Sequence, residues 1–229
     1  MTVTTTALTR AAGISAAVAG LIFIGVQINH PHSDADAATT TEWAVRNSLK
    51  IVMAALALAG ITGMYLRQVK QIGLLGLVGY LVFCVGYLTI IGVTFISAFV
   101  LPSIAETNPG YVNDVLAAAT NGSAVGDIGL MQGILNLSGL TFLGGGLIFG
   151  IALYRARVLA RWAAALLAVA SVLTVALAVL PDAFYRFLAF PNSIAMIGLG
   201  YSLWLTTRTE TATLPHGVAT SPPTVMRAP

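Results

Sequence analysis

Apolar residues in this chain come in blocks of roughly twenty, the length a helix needs to cross a bilayer, with short polar breaks between them. The longest block, 72–102, is built mainly of Leu, Val, Ile, Gly and aromatic residues, and no charge falls between Lys70 and Glu106. As a helix it would extend about 45 Å, more than the ~30 Å hydrocarbon core, so the pattern predicts a span that is tilted or projects. Five further blocks complete the expectation. The fold class is all-α: a polytopic transmembrane helical bundle of about six spans, near 11–28, 47–66, 72–102, 127–154, 162–180 and 184–205. This domain, 10–206, lies between a Thr-rich N-terminal tail, 1–9, and a C-terminal tail, 207–229, whose Thr, Pro and Ser content predicts disorder.

The polar breaks add detail. Thr39, Thr40 and Thr41 offer N-caps for the second helix, with Glu42 favourably placed in its first turn. Glu42, Arg46 and Lys50 follow at spacings of four and are expected on one face. In the long loop 103–125, Asn108-Pro109-Gly110 signals a turn and 111–119 a short interfacial helix. Gly129-xxx-Gly133 and Gly146-xxx-Gly150 in the fourth block are spacings that permit close helix approach, within the chain or in a homo-oligomer. Arg10, the apolar block 11–26 and Ala35-Asp36-Ala37 also spell a possible signal peptide, but the small-residue site lies far beyond the apolar core, so an uncleaved first span is the expectation.

Charge then orients the bundle. With both termini cytoplasmic, Arg10, Arg67, Lys70, Arg155, Arg157, Arg161, Arg208 and Arg227 fall inside, and only Arg46, Lys50 and Arg186 outside, as the positive-inside rule requires. The acids divide the opposite way: Asp34, Asp36, Glu42, Glu106, Asp114, Asp127 and Asp182 are outside and Glu210 inside. Composition agrees, since 57% of residues are hydrophobic and only 8% charged, far from the ~25% of soluble domains. The expected location is the cell membrane, the expected partners the lipid bilayer and an apolar small molecule. A net charge of +3, dispersed over helix ends, gives no nucleic-acid surface. Cys84 has no second cysteine to pair with.

Chemistry has few places to sit. His30, His32, Asp34 and Asp36 alternate as ligands of a zinc-like ion would on an extended segment, yet they match no defined metal spacing, so a solvated loop is the expectation, with a pH-responsive loop as an alternative. No metal or cofactor is therefore expected. Glu42, Trp43, Arg46, Asn47 and Lys50 form either a capped helix start in the aromatic belt or an acid at the bilayer edge with a cation and an aromatic face beside it. Asp127, Gln132 and Asn136 lie at successive depths of the fourth span, where polar groups line a cavity or bond between helices. Tyr185 is placed to face the same outer cavity. The chain has no GxxxxGK, no dinucleotide fingerprint and no HExxH, and no Asp, Glu, Lys or Arg in mid-span to support ion transport.

Taken with Thr9-Arg10-Ala11-Ala12-Gly13, Leu66-Arg67-Gln68 and Gly76-Leu77-Val78-Gly79-Tyr80, the whole arrangement resembles six-span membrane proteins common in high-GC Gram-positive bacteria. That resemblance is silent on activity. In size, hydrophobicity and the acid near the start of the second helix, the chain is also similar to small membrane-integrated terpene cyclases of meroterpenoid and indole-sesquiterpenoid pathways, whose fungal members have seven spans. This second resemblance implies a metal-independent cyclisation begun by protonation of an alkene or epoxide. Glu42 would be the acid, Asp127 its partner, and Trp43, Arg46, Asn47, Gln132, Asn136 and Tyr185 would line the substrate site. The functional expectation is thus an integral-membrane enzyme acting on a lipidic or prenylated substrate. The alternatives are a non-catalytic accessory or scaffold protein and a small-molecule exporter.

Overall fold

The computed structural model describes residues 3–28, 30, 32–120, 123–176 and 189–212. Among them the chain is helical: α1 (Thr5–Gln27), α2 (Ala35–Ala38), α3 (Thr41–Arg67), α4 (Val69–Phe95), a π-helical turn (Ile96–Val100), α5 (Leu101–Ala105), α6 (Pro109–Ala119), α7 (Leu130–Ala156), α8 (Arg161–Ala176) and α9 (Ala189–Ala212). Four stretches are long and apolar enough to cross a membrane: Thr5–Gln27, Thr41–Arg67, Val69–Ala105 and Leu130–Ala156. Part of the last two sequence blocks, 177–188, and the tail from 213 lie outside the described residues.

Six long helices pack in a closed ring in the order α1, α3, α4, α7, α8, α9 and back to α1, each antiparallel to its neighbours. Small residues at the crossings set this order. Gly79 and Gly86 of α4 lie so close to α7 that an added Cβ would sit 2.5 Å from the Phe149 nitrogen and 2.6 Å from that of Phe142. Gly13 and Gly200 meet in the same way between α1 and α9, and Gly146 and Gly150 press on Ser171 and Ala168 of α8. Backbones this close gain dispersion contacts without needing a hydrophobic drive. The Gly146-xxx-Gly150 spacing is thus used within the chain, while Gly133 has open space beside it.

The ring buries Phe83, Phe149, Leu153, Leu167, Leu199 and Leu203 at its centre. Its exterior is apolar too: Leu21, Leu74, Leu88, Leu140 and Trp162 are all more than half exposed. A soluble protein rarely presents such a surface, and it suits a lipid surrounding.

The two ends of the ring differ. At one end Arg10, Arg67, Lys70, Arg155, Arg157, Arg161 and Arg208 sit at helix termini. There Gly73 breaks α4 one turn after its start, with φ 61° and ψ −164°, a conformation open essentially only to glycine. At the other end a second cluster, including Ala38, Trp43, Leu101, Val112, Leu116 and Ile128, forms a cap. The stretch Val69–Ala105 is 37 residues long, and its last turns project from the ring into this cap. α6, started by Asn108 as N-cap with Pro109 after it, lies across the opening.

Candidate functional site

The site is built where α3 leaves the cap. Thr40 Oγ1 accepts the Trp43 backbone N–H at 3.2 Å and so fixes where the helix begins. From that start, the ~100° turn per residue sends Glu42, Val45, Arg46 and Leu49 to one face and Trp43, Asn47 and Lys50 to another.

On the first face Glu42 and Arg46 satisfy each other. Arg46 Nη2 and Nε lie 2.7 and 2.8 Å from Glu42 Oε1, and Nη1 donates to the carbonyls of Ile28 at 2.8 Å and Val26 at 3.3 Å. The guanidinium therefore ties the end of α1 to the start of α3. Glu42, with 57% of its side chain exposed, opens onto a shallow groove of about 490 Å³ between these two helices.

The second face turns inward. Trp43 is 3% exposed, and its indole Nε1 donates to Ser97 O at 2.9 Å. That bond follows from a single proline. In the π-helical turn the Leu101 N–H bonds Ile96 O, so the Ser97 carbonyl would look one residue further, to Pro102, which has no N–H. A half-buried carbonyl without a donor is costly, and the indole supplies one. Asn47, also 3% exposed, donates Nδ2 to Trp43 O at 3.0 Å and offers Oδ1 to Lys50 Nζ at 3.3 Å. Lys50 Nζ in turn lies 3.0 Å from His30 Nε2, and the His30 ring stands edge-on to Trp43 with centroids 5.9 Å apart.

These groups line a polar pocket of about 220 Å³ together with Gln27, Thr94 and Ser97. A larger cavity of about 620 Å³ shares Gln27, Lys50 and Thr94 with it and adds apolar walls from α1, α3, α4 and α7: Phe23, Met53, Ile90, Leu135 and Phe142. Behind Phe142 stand Phe83 and Tyr87, with ring centroids 5.5 and 5.3 Å away. Ala118 and Ala119 of α6 roof the cavity.

The remaining candidates are placed as follows. Asn136 lines the large cavity and accepts a hydrogen bond from Gln132 Nε2 at 3.1 Å, so those two pair on one face of α7. Asp127 accepts the Gly129 N–H at 2.7 Å, which holds the loop that starts α7; it shares no hydrogen bond or ion pair with Glu42. Asp34 caps α2 through the Ala37 N–H at 2.7 Å, His32 is exposed, and no three metal-ligating side chains gather among the described residues. Tyr185 lies outside the described residues. Trp43, Asn47 and Asn136 are thus brought to connected cavities, whereas Glu42 and Arg46 face a separate groove. Gln27, Thr94 and Ser97 were missed by sequence reasoning. The proline at 102, five residues after Ser97, was the available signal for an orphaned carbonyl at that point.

Fold and site together define a class: an all-helical protein with helices able to cross a membrane, holding a partly polar cavity under a helical cap. Comparison with family models, with curated proteins and with solved structures finds no match.

Proposed function

We propose that this chain is a six-span protein of the cell membrane, with both termini cytoplasmic, that binds a lipidic or prenylated substrate in the cavity between α1, α3, α4 and α7. The topology is supported by the cations gathered at one end of the ring and the carboxylates of Asp34, Asp36, Glu42, Glu106, Asp114 and Asp127 at the other. The observation that carries the ligand reading is the large cavity itself. Its ~620 Å³ falls within the range of small-molecule sites, apolar along one side and polar at one end, and it adjoins helices whose outer faces suit lipid. A substrate dissolved in the bilayer would enter from the side, tail inward.

Catalysis by proton-initiated cyclisation is a narrower form of this reading. The aromatic wall of Phe142, Tyr87 and Phe83 favours it, since ring faces stabilise a carbocation and exclude water. No carboxylic acid is among the described residues lining either the pocket or the cavity. Glu42 opens onto the separate groove, whose described lining holds no aromatic ring, so the cyclase form needs a substrate that reaches both faces of α3.

One experiment tests both levels. The purified chain is incubated with prenylated acceptors and their epoxides, and the retained ligand and any product isomers are measured by mass spectrometry. Stoichiometric retention supports the cavity reading, and its absence for every amphiphile offered removes it. New isomers that disappear in Glu42→Gln would support the cyclase form, and retention without isomers would leave binding alone.

A further inference from the structure

Hydroxyls in the apolar helices of this chain commonly close on their own backbone. Thr62, Thr89, Thr141 and Ser171 each donate to the carbonyl four residues earlier, at 2.6 to 3.1 Å, the local bond that lets a hydroxyl sit in a hydrophobic surrounding. Two in the wall of the large cavity do otherwise. Thr94 of α4 and Ser138 of α7 are 7% and 8% exposed, and neither hydroxyl has a hydrogen-bond partner among the described residues. The unpartnered side-chain oxygens sealed from open space, among the described residues, are Gln68 Oε1 and Asn192 Oδ1, so the hydroxyls of Thr94 and Ser138 open onto the cavity. The packing of α4 on α7 sets their spacing. Gly79 meets Phe149 and Gly86 meets Phe142, an antiparallel register that puts Ser138 level with Ile90. Thr94 lies four residues further along α4, about 6 Å closer to the cap. A hydroxyl left unmet in an apolar wall is costly, and these two are met by nothing the chain itself supplies.

We infer that the ligand is an apolar chain carrying a neutral oxygen function, a carbonyl or a hydroxyl, in its body: the hydroxyls of Thr94 and Ser138 hydrogen-bond that oxygen, and the adjoining hydrocarbon lies along Ile90, Leu135 and Phe142. This inference rests on the cavity being the lipid-binding site and adds the polar group that the site selects. A hydroxyl both donates and accepts, so a ligand carbonyl takes one bond from each side chain, and a ligand hydroxyl accepts one and donates the other. Neither side chain brings a charge, which matches an oxygen that has none. A plain hydrocarbon filling the same space would leave both hydroxyls buried and unmet, so the wall discriminates against it.

The test uses two photoreactive probes of equal length, each with a diazirine in its tail, one a long-chain ketone and the other the corresponding alkane, on the full-length protein in a neutral detergent. The ketone is expected to label at a concentration about fivefold lower than the alkane, with crosslinks in 90–94 of α4 or 135–142 of α7. Thr94→Val combined with Ser138→Ala should bring the two probes within about twofold of each other while alkane labelling persists, and Thr94→Ser alone should keep the preference. Competition by farnesol or by farnesal then tells an alcohol ligand from a carbonyl one. Equal labelling by both probes in the wild-type protein, or a ketone preference that survives the loss of both hydroxyls, overturns the assigned oxygen and leaves the cavity reading standing. Crosslinks of both probes only outside the cavity overturn the cavity reading and this inference together. The wild-type comparison decides the point even where a variant fails to accumulate.

Discussion

The two faces of α3 at the cap end carry polar residues of the same kinds, yet they do opposite things. On the outer face Glu42 and Arg46 pair at a spacing of four, and the rest of Arg46's donors go to the end of α1. Nothing there asks for a further partner. On the inner face the hydrogen bonds of Trp43, Asn47 and Lys50 run to one another, to His30 and to the π-helical turn after α4, and the space around them is walled by α6 and α7 as well. Polar side chains that satisfy one another within a helix leave a groove shaped by their own helix and its neighbour. Those that need groups from several elements become the wall of a cavity.

Filling each side in turn should break the comparison most sharply. Met53→Trp places an indole in the large cavity and is expected to lower retention of a lipidic ligand by about tenfold or more, measured by extraction and mass spectrometry. Leu49→Trp, on the groove side, should change retention by less than about twofold. If Leu49→Trp is the damaging one, the groove is the binding site. The next effect is on stability. Trp43→Phe keeps most of the ring volume and removes the donor to the half-buried Ser97 O, at a cost of about 1.5 kcal/mol. Thermal unfolding in detergent should show a drop of several degrees. Arg46→Met removes bonds that are partly exposed, one of them to a neighbouring carboxylate, and should cost about 1 kcal/mol in the same assay.

The contrast also marks how far the sequence could be read. The long apolar blocks were legible as helices because lipid-facing and buried residues alike are apolar, and a cap within Thr39-Thr40-Thr41 was legible from its chemistry, Thr40 being the one the structure uses. The projection of 72–102 beyond a hydrocarbon thickness followed from length alone, and its end in fact reaches the cap. Helix rotation was not legible. Positions four apart drift by about 40° per step, so Glu42, Arg46 and Lys50 look like one face in sequence while Lys50 has turned about 80° from Glu42, toward Asn47 and His30. An apolar exterior removes the amphipathic pattern that would tell the inside of such a helix from its outside. Trp43 illustrates the result: the expectation of an interfacial belt residue fits its position at the end of α3, yet its indole is buried in the cap cluster and donates to Ser97 O.

The smallest effect expected is the most useful discriminator. Glu42 is more than half exposed, and its ion-pair partner among the described residues is Arg46 on the same helix, a kind of pair whose net worth is typically below about 0.5 kcal/mol. Glu42→Gln keeps the shape and a hydrogen-bonding oxygen for Arg46, and Arg46 keeps its hold on the Ile28 carbonyl. Unfolding temperature should therefore move by no more than about a degree, and ligand retention by less than about twofold. A protein that folds and binds as before but loses product formation would make Glu42 a proton donor and assign chemistry to the outer groove. If retention falls while stability holds, ligand contact extends across α3 and the division between its two faces fails. With folding, binding and any product formation all unchanged, Glu42 serves to order the start of α3 and the end of α1, and the inner cavity carries the function.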